Sequence, residues 1–219
     1  MIKNFDVAII DYGLNNLFSV KLACKKANLS SIVTSDKDLI LSARSAILPG
    51  VGAFSYAMSN IKEKKLDKVI ISFIESGKPF LGICLGMQLL MEKSEEFGTS
   101  KGLGILKGEV LGFEPQYCGD IFYPVPQVGW NKISKKEKSW DNSLLNLSND
   151  LDFMYFVHSY YVKASHDEDI SSYSQYGETE FCASISKENV SAMQFHPEKS
   201  GLTGLNVYHS LKKQIKEDE

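Results

Sequence analysis

The chain has 219 residues, of which 43% are hydrophobic and 23% are charged, and its formal net charge is −3. This length and composition predict one soluble globular domain over residues 1–219 with a single sizeable core. The small negative charge excludes the strongly basic surface that would attract nucleic acid or an anionic membrane.

Targeting segments and cysteine clusters are also missing from the sequence. The first residues lack the apolar core and cleavage site of a signal peptide, and the longest apolar stretch, FLGICLGMQLLM, is too short to span a bilayer. The four cysteines, at positions 24, 84, 118 and 182, are scattered with no CxxC pair. A zinc site or a disulfide framework is therefore not expected. We expect a cytoplasmic protein with no metal and no cofactor.

The first 93 residues alternate between apolar runs and segments with helical spacing. The pattern predicts strands at 5–11, 30–35, 45–50 and 78–83, and helices at 15–27, 53–76 (with one break) and 85–93. Such alternation is typical of βαβ units, so the predicted fold class is α/β, with a mostly parallel sheet and helices on both faces.

The second half of the chain consists of shorter apolar and aromatic segments bounded by turns. These predict strands at 111–113, 127–131, 153–162, 171–177, 181–186 and 190–195, followed by a helix at about 203–216. The charged segment 132–143, KISKKEKSWDNS, is predicted to be a mobile surface loop.

The strongest chemical signal is the segment Gly82-Ile83-Cys84-Leu85-Gly86, between a predicted strand and a predicted helix. It has the form of a nucleophile elbow, in which small flanking residues allow a tight turn that lifts the nucleophile out of the sheet edge. The start of the following helix would favour the thiolate of Cys84. A buried cysteine in a glycine-rich turn explains the motif equally well when it is taken alone.

A second signal is Gln194-Phe195-His196-Pro197-Glu198. In an extended segment, residues two apart project to the same side, so His196 and Glu198 can face one site. A thiol nucleophile needs a base, and the base needs an acceptor that orients it. A His-Pro turn with a surface glutamate would be the simpler interpretation, but beside the elbow a Cys84, His196 and Glu198 triad is the better one.

The third signal is the loop Leu48-Pro49-Gly50-Val51-Gly52, which follows a predicted strand. Its backbone N–H groups could bind a developing oxyanion together with the N–H of Leu85. The loop lacks the residues of a phosphate-binding loop or of a dinucleotide fingerprint, and in isolation it reads as an ordinary strand-to-helix turn.

The three signals, in this order and at this spacing, resemble the class I glutamine amidotransferases, and in particular the family of glutaminase subunits of imidazole glycerol phosphate synthase. The resemblance covers nearly the whole chain. It rests on Asp11-Tyr12-Gly13, Leu48–Met58 (LPGVGAFSYAM), Cys84–Leu90 (CLGMQLL), Gly129-Trp130-Asn131, Phe156–Tyr161 (FVHSYY) and Gln194–Gly201 (QFHPEKSG).

The resemblance implies a flavodoxin-like core with a glutaminase site. Cys84 would attack the side-chain carbonyl of glutamine, His196 would pass a proton to departing ammonia, and Val51 and Leu85 would supply the oxyanion N–H groups. The residues that would hold glutamine are, by their place in the matching motifs, Gly50, Gly52, Gln88, Glu96, His158, Ser159 and Tyr160.

The resemblance also implies a partner. In that family a (β/α)₈-barrel cyclase docks over the glutaminase face and uses the ammonia to make imidazole glycerol phosphate, and the free glutaminase is nearly idle. The docking residues would be Asn15, Asn16, Trp130 and Asn131. No nucleic-acid or membrane partner is expected.

The sequence departs from the family pattern near this docking face, at Asn15, Gln127 and Val128. The alternative is a related glutaminase that supplies ammonia to a cyclase-like barrel for amidation of a surface-polysaccharide sugar. Two other classes are a non-catalytic binding subunit, against which the complete Cys84, His196 and Glu198 set argues, and a cysteine peptidase, which the FVHSYY segment disfavours.

Overall fold

The structure is a computed structural model that describes residues 5–14, 16–135 and 139–217. Its helices are α1 Leu17–Lys26, α2 Lys37–Ser42, α3 Phe54–Glu63, α4 Leu66–Glu75, α5 Leu85–Leu89 and α6 Gly201–Glu217. Its strands are β1 Val7–Ile10, β2 Ser31–Thr34, β3 Ser45–Gly50, β4 Phe80–Cys84, β5 Lys93–Ser94, β6 Ser100–Lys101, β7 Gly108–Gly112, β8 Gln116–Cys118, β9 Ile121–Tyr123, β10 Gln127–Lys132, β11 Phe153–His158, β12 Tyr160–Ala164, β13 Ile170–Tyr176, β14 Thr179–Lys187 and β15 Val190–Met193. Short 3₁₀ helices cover Asp167–Asp169 and Pro197–Lys199.

One large sheet organises the molecule, with strand order β2-β1-β3-β4-β15-β14-β12-β7-β5-β6 and with β13 paired to β14. Five neighbouring strands are mutually parallel, namely β2, β1, β3, β4 and β15. The sheet then continues through β14, β12 and β7 in antiparallel pairs. Two ribbons, β8-β9 and β10-β11, lie outside it. The α/β class is confirmed, and the parallel half is the flavodoxin-like part.

The two faces of the parallel strands pack against different helices. Ala8 and Ile10 belong to a cluster with residues of α3 and α4, while Val7 and Ile9 belong to a cluster with residues of α1 and α6. This alternation follows from the two-residue period of a strand, and both faces are apolar because both are covered. Helices on both faces were predicted, and this prediction is confirmed.

The predicted strand 153–162 was wrong in one respect, because the structure breaks it at Ser159. β11 pairs with β10 in a ribbon, whereas β12 pairs with β7 and β14 in the main sheet. An unbroken aromatic and β-branched run contains no signal for such a change of sheet. The break matters for function, because it places His158, Ser159 and Tyr160 at a corner.

The predicted helix 85–93 is also shorter than expected, since α5 ends at Leu89. The chain at 103–106 crosses its end, and backbone N–H groups there donate to the carbonyls of Leu89, Leu90 and Met91 at 2.9 to 3.0 Å. Because these carbonyls already accept hydrogen bonds from residues 103–106, the helix can end without leaving them unpaired. Helix α2 was missed by the sequence analysis.

The segment predicted as a mobile surface loop holds a core residue. The Trp140 side chain is 1% exposed, and its indole N–H donates to the Ser171 carbonyl at 2.6 Å. The loop prediction is therefore wrong at Trp140, where the hydrophobic area of the indole outweighs the surrounding charge. It is also wrong at Lys132, which ends β10, and at Ile133, which has no exposed surface. Residues 136–138 of this segment lie outside the described residues.

Across the described ranges, the helices all fall short of the length and apolar character that a bilayer crossing requires.

The glycine after the elbow cysteine gives a stability prediction. A Cβ at Gly86 would overlap the backbone oxygen of Leu48, whereas a Cβ at Gly77 meets no atom within 4 Å. We expect Gly86→Ala to lower the free energy of unfolding by about 3 kcal/mol or more, because backbone cannot yield as a side chain can. Gly77→Ala, at φ +80°, should cost only about 1 kcal/mol. Urea unfolding of both variants tests this, and equal losses would contradict it.

Candidate active site

Cys84 ends the central strand β4 in a strained backbone conformation, with φ +53° and ψ −112°. A positive φ is uncommon for a residue with a Cβ and persists where the surrounding structure imposes it. The flanking glycines make the turn possible, since a Cβ at Gly82 would lie 3.1 Å from backbone atoms of Gly86. The sharp turn therefore presents the sulfur at the carboxyl edge of the parallel sheet.

His196 reaches the same edge from the neighbouring strand. β15 runs parallel to β4, with Met193 opposite Ile83, so both chains leave the sheet on one side. The backbone N–H of His196 donates to the Tyr155 carbonyl at 2.9 Å, which ties this segment to β11. The structure thus brings together two side chains separated by more than a hundred residues in sequence.

Glu198 lies against the far side of the imidazole. His196 Nδ1 is 2.8 Å from Glu198 Oε1, and the two side chains are 2% and 1% exposed. The extended geometry predicted for this segment was wrong, because Pro197–Lys199 forms a 3₁₀ helix. Proline fits the first position of such a turn, and the turn instead curls the carboxylate back onto the ring.

The surroundings of His196 favour its charged form. Burial lowers the pKa of His196, but the proximity of Cys84 and the contact with Glu198 outweigh burial and raise the pKa to about 10. His196 Nε2 is buried and makes no hydrogen bond. The ring therefore stands between a sulfur on one side and a carboxylate on the other, as proton transfer to and from a bound substrate requires.

A cavity of about 240 Å³ opens over the sulfur. It is lined by Val51, Gly52, Cys84, Leu85, Gln88, Glu96, Val157, His158, Ser159 and Tyr160. Nine of these ten residues were predicted site residues, and Val157 was not among them. Gly50, also predicted, lies behind the cavity in β3, paired with Cys84.

The backbone around the sulfur supplies candidate oxyanion donors. Leu85 is the first residue of α5, where a backbone N–H has no acceptor inside its own helix. Val51 follows β3 directly, and Gly52 after it has φ +105°, which suits glycine. The two predicted donors thus follow the ends of the adjacent strands β3 and β4, and both residues line the cavity.

Two polar side chains define the rest of the cavity. Glu96 accepts a hydrogen bond from the Phe54 N–H at 2.5 Å, at the start of α3, where the helix end favours a negative charge. Gln88 projects from α5, and its Nε2 donates to the Tyr160 carbonyl at 2.9 Å. Both contacts fix the side chains at the cavity wall, where they can meet a polar ligand.

His158 is a neutral histidine at the corner between β11 and β12. Its Nδ1 lies 2.8 Å from the Tyr160 carbonyl, which can only accept, so Nδ1 carries the proton. Burial lowers the pKa of His158 to about 4, with the Tyr160 carbonyl opposing this and the charge on His196 adding to it. The other nitrogen, Nε2, is buried and has no hydrogen-bond partner.

This histidine predicts acid lability. Below its ordinary pKa of 6.5 the unfolded chain binds a proton that folded His158 accepts only near pH 4. Stability therefore falls as pH decreases from 6.5 to 4, by on the order of 3 kcal/mol. We expect His158→Phe to flatten the dependence of the unfolding free energy on pH in this window, and the same change at exposed His166 to leave it intact. Parallel curves for the wild type and His158→Phe would contradict the assignment.

The predicted docking residues lie on the β10-β11 ribbon and before α1. Trp130 is 54% exposed and its ring stands 6.0 Å from that of Tyr155, opposite it in the ribbon. Asn131 Nδ2 donates to the Gln175 carbonyl, and Asn16 Oδ1 accepts from Ser19. Asn15 lies outside the described residues.

Two of the three residues that depart from the family pattern, Gln127 and Val128, lie on the same ribbon. Gln127 is buried at 3% exposure, while Val128 is 59% exposed beside Trp130. A second cleft, of about 250 Å³, runs along this ribbon and is lined in part by Val128, Trp130 and Tyr123. The ribbon thus presents apolar side chains to solvent next to the sheet edge that carries Cys84.

One buried side chain near the sulfur was missed by the sequence analysis. Gln194 has no exposed surface, and its Nε2 lies 3.7 Å from Cys84 Sγ. Its place two residues before His196 was the available signal, since alternate residues near a strand end share a side. Within the described part of the chain, no group of three or more His, Cys, Asp or Glu residues could hold a metal ion.

Comparison with known proteins agrees with this geometry. The family model described as glutamine amidotransferase class-I matches residues 3–210. A solved glutamine amidotransferase superposes with a TM-score of 0.71 at 14% identity, covering 96% of this chain and 99% of the other. A chain of PurLQS from Thermotoga maritima superposes with a TM-score of 0.69 at 20% identity, with 96% and 99% covered. These superpositions show that this chain shares the fold of both structures.

Relatives of higher sequence identity show to which family within the class I glutamine amidotransferases the chain belongs. The imidazole glycerol phosphate synthase subunit HisH of Aquifex aeolicus is 44% identical, with 94% of this chain and 95% of that protein covered. The protein of the same name from Geobacter metallireducens is 42% identical, with 92% and 94% covered. The chain therefore belongs to the HisH family within the class I glutamine amidotransferases.

Proposed function

We propose that the chain is the glutaminase subunit of an imidazole glycerol phosphate synthase, and that Cys84, His196 and Glu198 carry its chemistry. The observation that supports this most is the position of the His196 ring, with the buried Glu198 on its Nδ1 side and Cys84 interacting with it over a cavity. A thiol, an imidazole and an orienting carboxylate in this order form a complete nucleophilic set.

The reaction follows from these three side chains. The Cys84 thiolate attacks the side-chain carbonyl carbon of glutamine, and the carbonyl oxygen takes up negative charge. The C–N bond then breaks as the His196 imidazolium gives its proton to nitrogen, releasing ammonia and leaving a thioester on sulfur. Neutral His196 next removes a proton from water, which attacks the thioester. Glutamate leaves, and the thiolate and imidazolium are restored.

The transient oxyanion would be bound by the backbone N–H groups of Val51 and Leu85, which follow the adjacent strands β3 and β4. Preorganised donors of this kind are worth about 10²–10³ in rate each. Gly52, which has a positive φ, gives the loop the freedom to turn the N–H of Val51 or its own toward the site. This freedom supports the proposal that the loop is set by a partner.

The glutamine ligand would lie along the cavity wall. Glu96 is suited to the α-ammonium group because its carboxylate lines the cavity. The corner at 158–160 presents backbone and hydroxyl groups beside Gln88 that suit the α-carboxylate and the side-chain amide. The 240 Å³ volume suits a ligand of amino-acid size rather than a peptide chain.

The partner would be a (β/α)₈-barrel cyclase subunit that receives the ammonia. Support comes from the exposed apolar side chains Val128 and Trp130 beside the catalytic edge, which is a feature of interaction surfaces. A physical route for coupling is also present. Trp130 contacts Tyr155, and the Tyr155 carbonyl accepts the backbone N–H of His196. A displacement of Trp130 when the partner binds would therefore shift the segment that carries His196.

The docking surface can be tested by mutation. We expect Trp130→Ala to weaken binding of the barrel subunit by about thirtyfold, as removal of an interface tryptophan costs about 2 kcal/mol. Leu202→Ala, at an 84% exposed site on α6, is the matched control and should not change the affinity. Calorimetric titration measures both, and an unchanged affinity for Trp130→Ala would place the interface elsewhere.

The function is tested by co-expressing the chain with the (β/α)₈-barrel cyclase subunit of the same organism. Glutamate release from glutamine is then measured with and without the cyclase's phosphorylated aminoimidazole-carboxamide ligand. The proposal predicts that this ligand accelerates glutamate release. Release that is fast in the free chain, or that responds only to a sugar acceptor, would overturn it.

A further inference from the structure

A chain of buried hydrogen bonds joins the sulfur of Cys84 to the cavity wall. Gln194 Nε2 donates to Cys84 Sγ at 3.7 Å, and Gln194 Oε1 accepts from Gln88 Nε2 at 3.1 Å. Gln88 Nε2 also donates to the Tyr160 carbonyl at 2.9 Å. Both polar atoms of the Gln194 side chain are thus used inside the site.

The orientation of the two amides in this chain is fixed by the Tyr160 carbonyl. A carbonyl can only accept, so the nitrogen of Gln88 must face it. The second N–H of that nitrogen then points at Gln194, which must present its oxygen. The NH₂ group of Gln194 is left facing the sulfur, and no exchange of nitrogen and oxygen satisfies the chain better.

The other neighbour of the Cys84 sulfur shows what the NH₂ group of Gln194 contributes. The Val157 carbonyl lies 3.9 Å from Cys84 Sγ and can interact favourably only with the neutral thiol, as an acceptor. The Gln194 N–H can donate to the thiolate. Hydrogen bonds to the charged form of a group favour that form. The Gln194 N–H therefore opposes the preference of the Val157 carbonyl for the neutral thiol.

We propose that Gln194 is a further catalytic residue, whose amide stabilises and aims the Cys84 thiolate and links it to the substrate-binding Gln88. The proposal rests on the assignment of Cys84 as nucleophile. Gln88 lines the cavity that would hold glutamine. A ligand that contacts Gln88 would therefore also affect the orientation of the Gln194 amide, which donates to the sulfur. A purely structural role for Gln194 would affect folding but not the reactivity of the thiol.

The test is the pH dependence of Cys84 alkylation by iodoacetamide, followed by mass spectrometry in a Cys118→Ser background that removes the exposed cysteine. Gln194→Met removes both hydrogen bonds at similar volume. We expect it to move the alkylation midpoint up by about one pH unit, since a hydrogen bond to a charged group is worth about tenfold or more. In the complex with the barrel subunit, kcat for glutamate release should fall at least as much.

Two further variants keep the result interpretable. Gln194→Glu preserves the acceptor for Gln88 and replaces the donor to sulfur by oxygen, so it should shift the midpoint in the same direction. Asn189→Ala is the matched control, because Asn189 is a half-buried amide just before the opposite end of β15 and donates to the Ile74 and Lys78 carbonyls. It should lower the melting temperature and leave the midpoint unchanged.

The proposal is overturned if folded Gln194→Met and Gln194→Glu both keep the wild-type midpoint. Its failure is distinguishable from failure of the proposed function. Alkylation needs neither glutamine nor a partner. A wild-type complex with the barrel subunit and its ligand that released no glutamate would therefore contradict the glutaminase assignment, whatever the alkylation curves of the variants show.

Discussion

Replacing Cys84 with alanine is expected to abolish glutamine-dependent synthesis by the complex, by about 10⁴-fold or more, because no other group can form the covalent intermediate. The substitution removes one sulfur atom from a site that is 6% exposed, so the fold and the docking face should persist. Glutamate release, measured with a coupled dehydrogenase, gives the loss directly.

Two controls accompany this variant. Cys118→Ala changes an exposed cysteine outside the site and should leave glutamate release unchanged. Added ammonium salts should restore the synthase reaction of the Cys84→Ala complex, because the partner uses free ammonia. If ammonium salts failed to do so while the complex remained intact, the proposed division of labour between the subunits would be wrong.

Glu198→Gln is expected to reduce glutamine-dependent turnover by about 10³–10⁴-fold, the effect of losing the orienting carboxylate in comparable triads. The amide cannot balance the charge of the imidazolium and can favour the wrong tautomer of His196. Turnover with ammonium salts should be unaffected. The matched control is Glu168→Gln, in a second His-x-Glu pair at the surface, where His166 Nδ1 and Glu168 Oε1 are 3.4 Å apart.

The pair of His196 and Glu198 also makes the stability of the protein depend on pH. The pKa of His196 is raised from 6.5 to about 10 by Cys84 and Glu198 against the effect of burial, so the folded state binds the proton more tightly than the unfolded state. The resulting stabilisation is fully present below pH 6.5 and is lost as pH rises through about 10. Glu198→Gln should therefore be most destabilising at low pH. An equal deficit at pH 6 and pH 10 would contradict the ion pair.

Much of the parallel half could be predicted because its strands are continuous apolar runs and its helices have a clear period. The placement of Cys84 and His196 at one edge followed from their position after two strands of one sheet. The sequence could not show that β15 inserts beside β4, but the two motifs required it. The proximity of Cys84 and His196 could thus be predicted from the chemistry that the two motifs share, whereas the hydrophobic periodicity could not predict it.

The misses have local physical causes. Residues 153–162 form one aromatic run whose break at Ser159 depends on pairing with two different sheets. Trp140 stands among charged residues, so its burial is a tertiary effect. Gln194 was overlooked because glutamine is seldom fully buried, and only the structure shows that its amide has partners on both sides.

The proposed docking face and the proposed triad lie next to each other in the structure. The β10-β11 ribbon carries Trp130 on its surface, and its partner strand accepts the backbone N–H of His196. A glutaminase that works only with its partner needs such a connection, since glutamine would otherwise be hydrolysed without use of the ammonia. This connection and the loop at 50–52 are the two elements through which docking could act.

The most direct test is rapid acid quenching of the complex during glutamine turnover, followed by mass spectrometry of its peptides. We expect the peptide containing Cys84 to gain the mass of one glutamyl group, and Cys84→Ala to show no adduct anywhere. Glutamate formed at the full rate by a protein in which Cys84 is never modified, or an adduct on another residue, would contradict the assignment of this sulfur as the nucleophile.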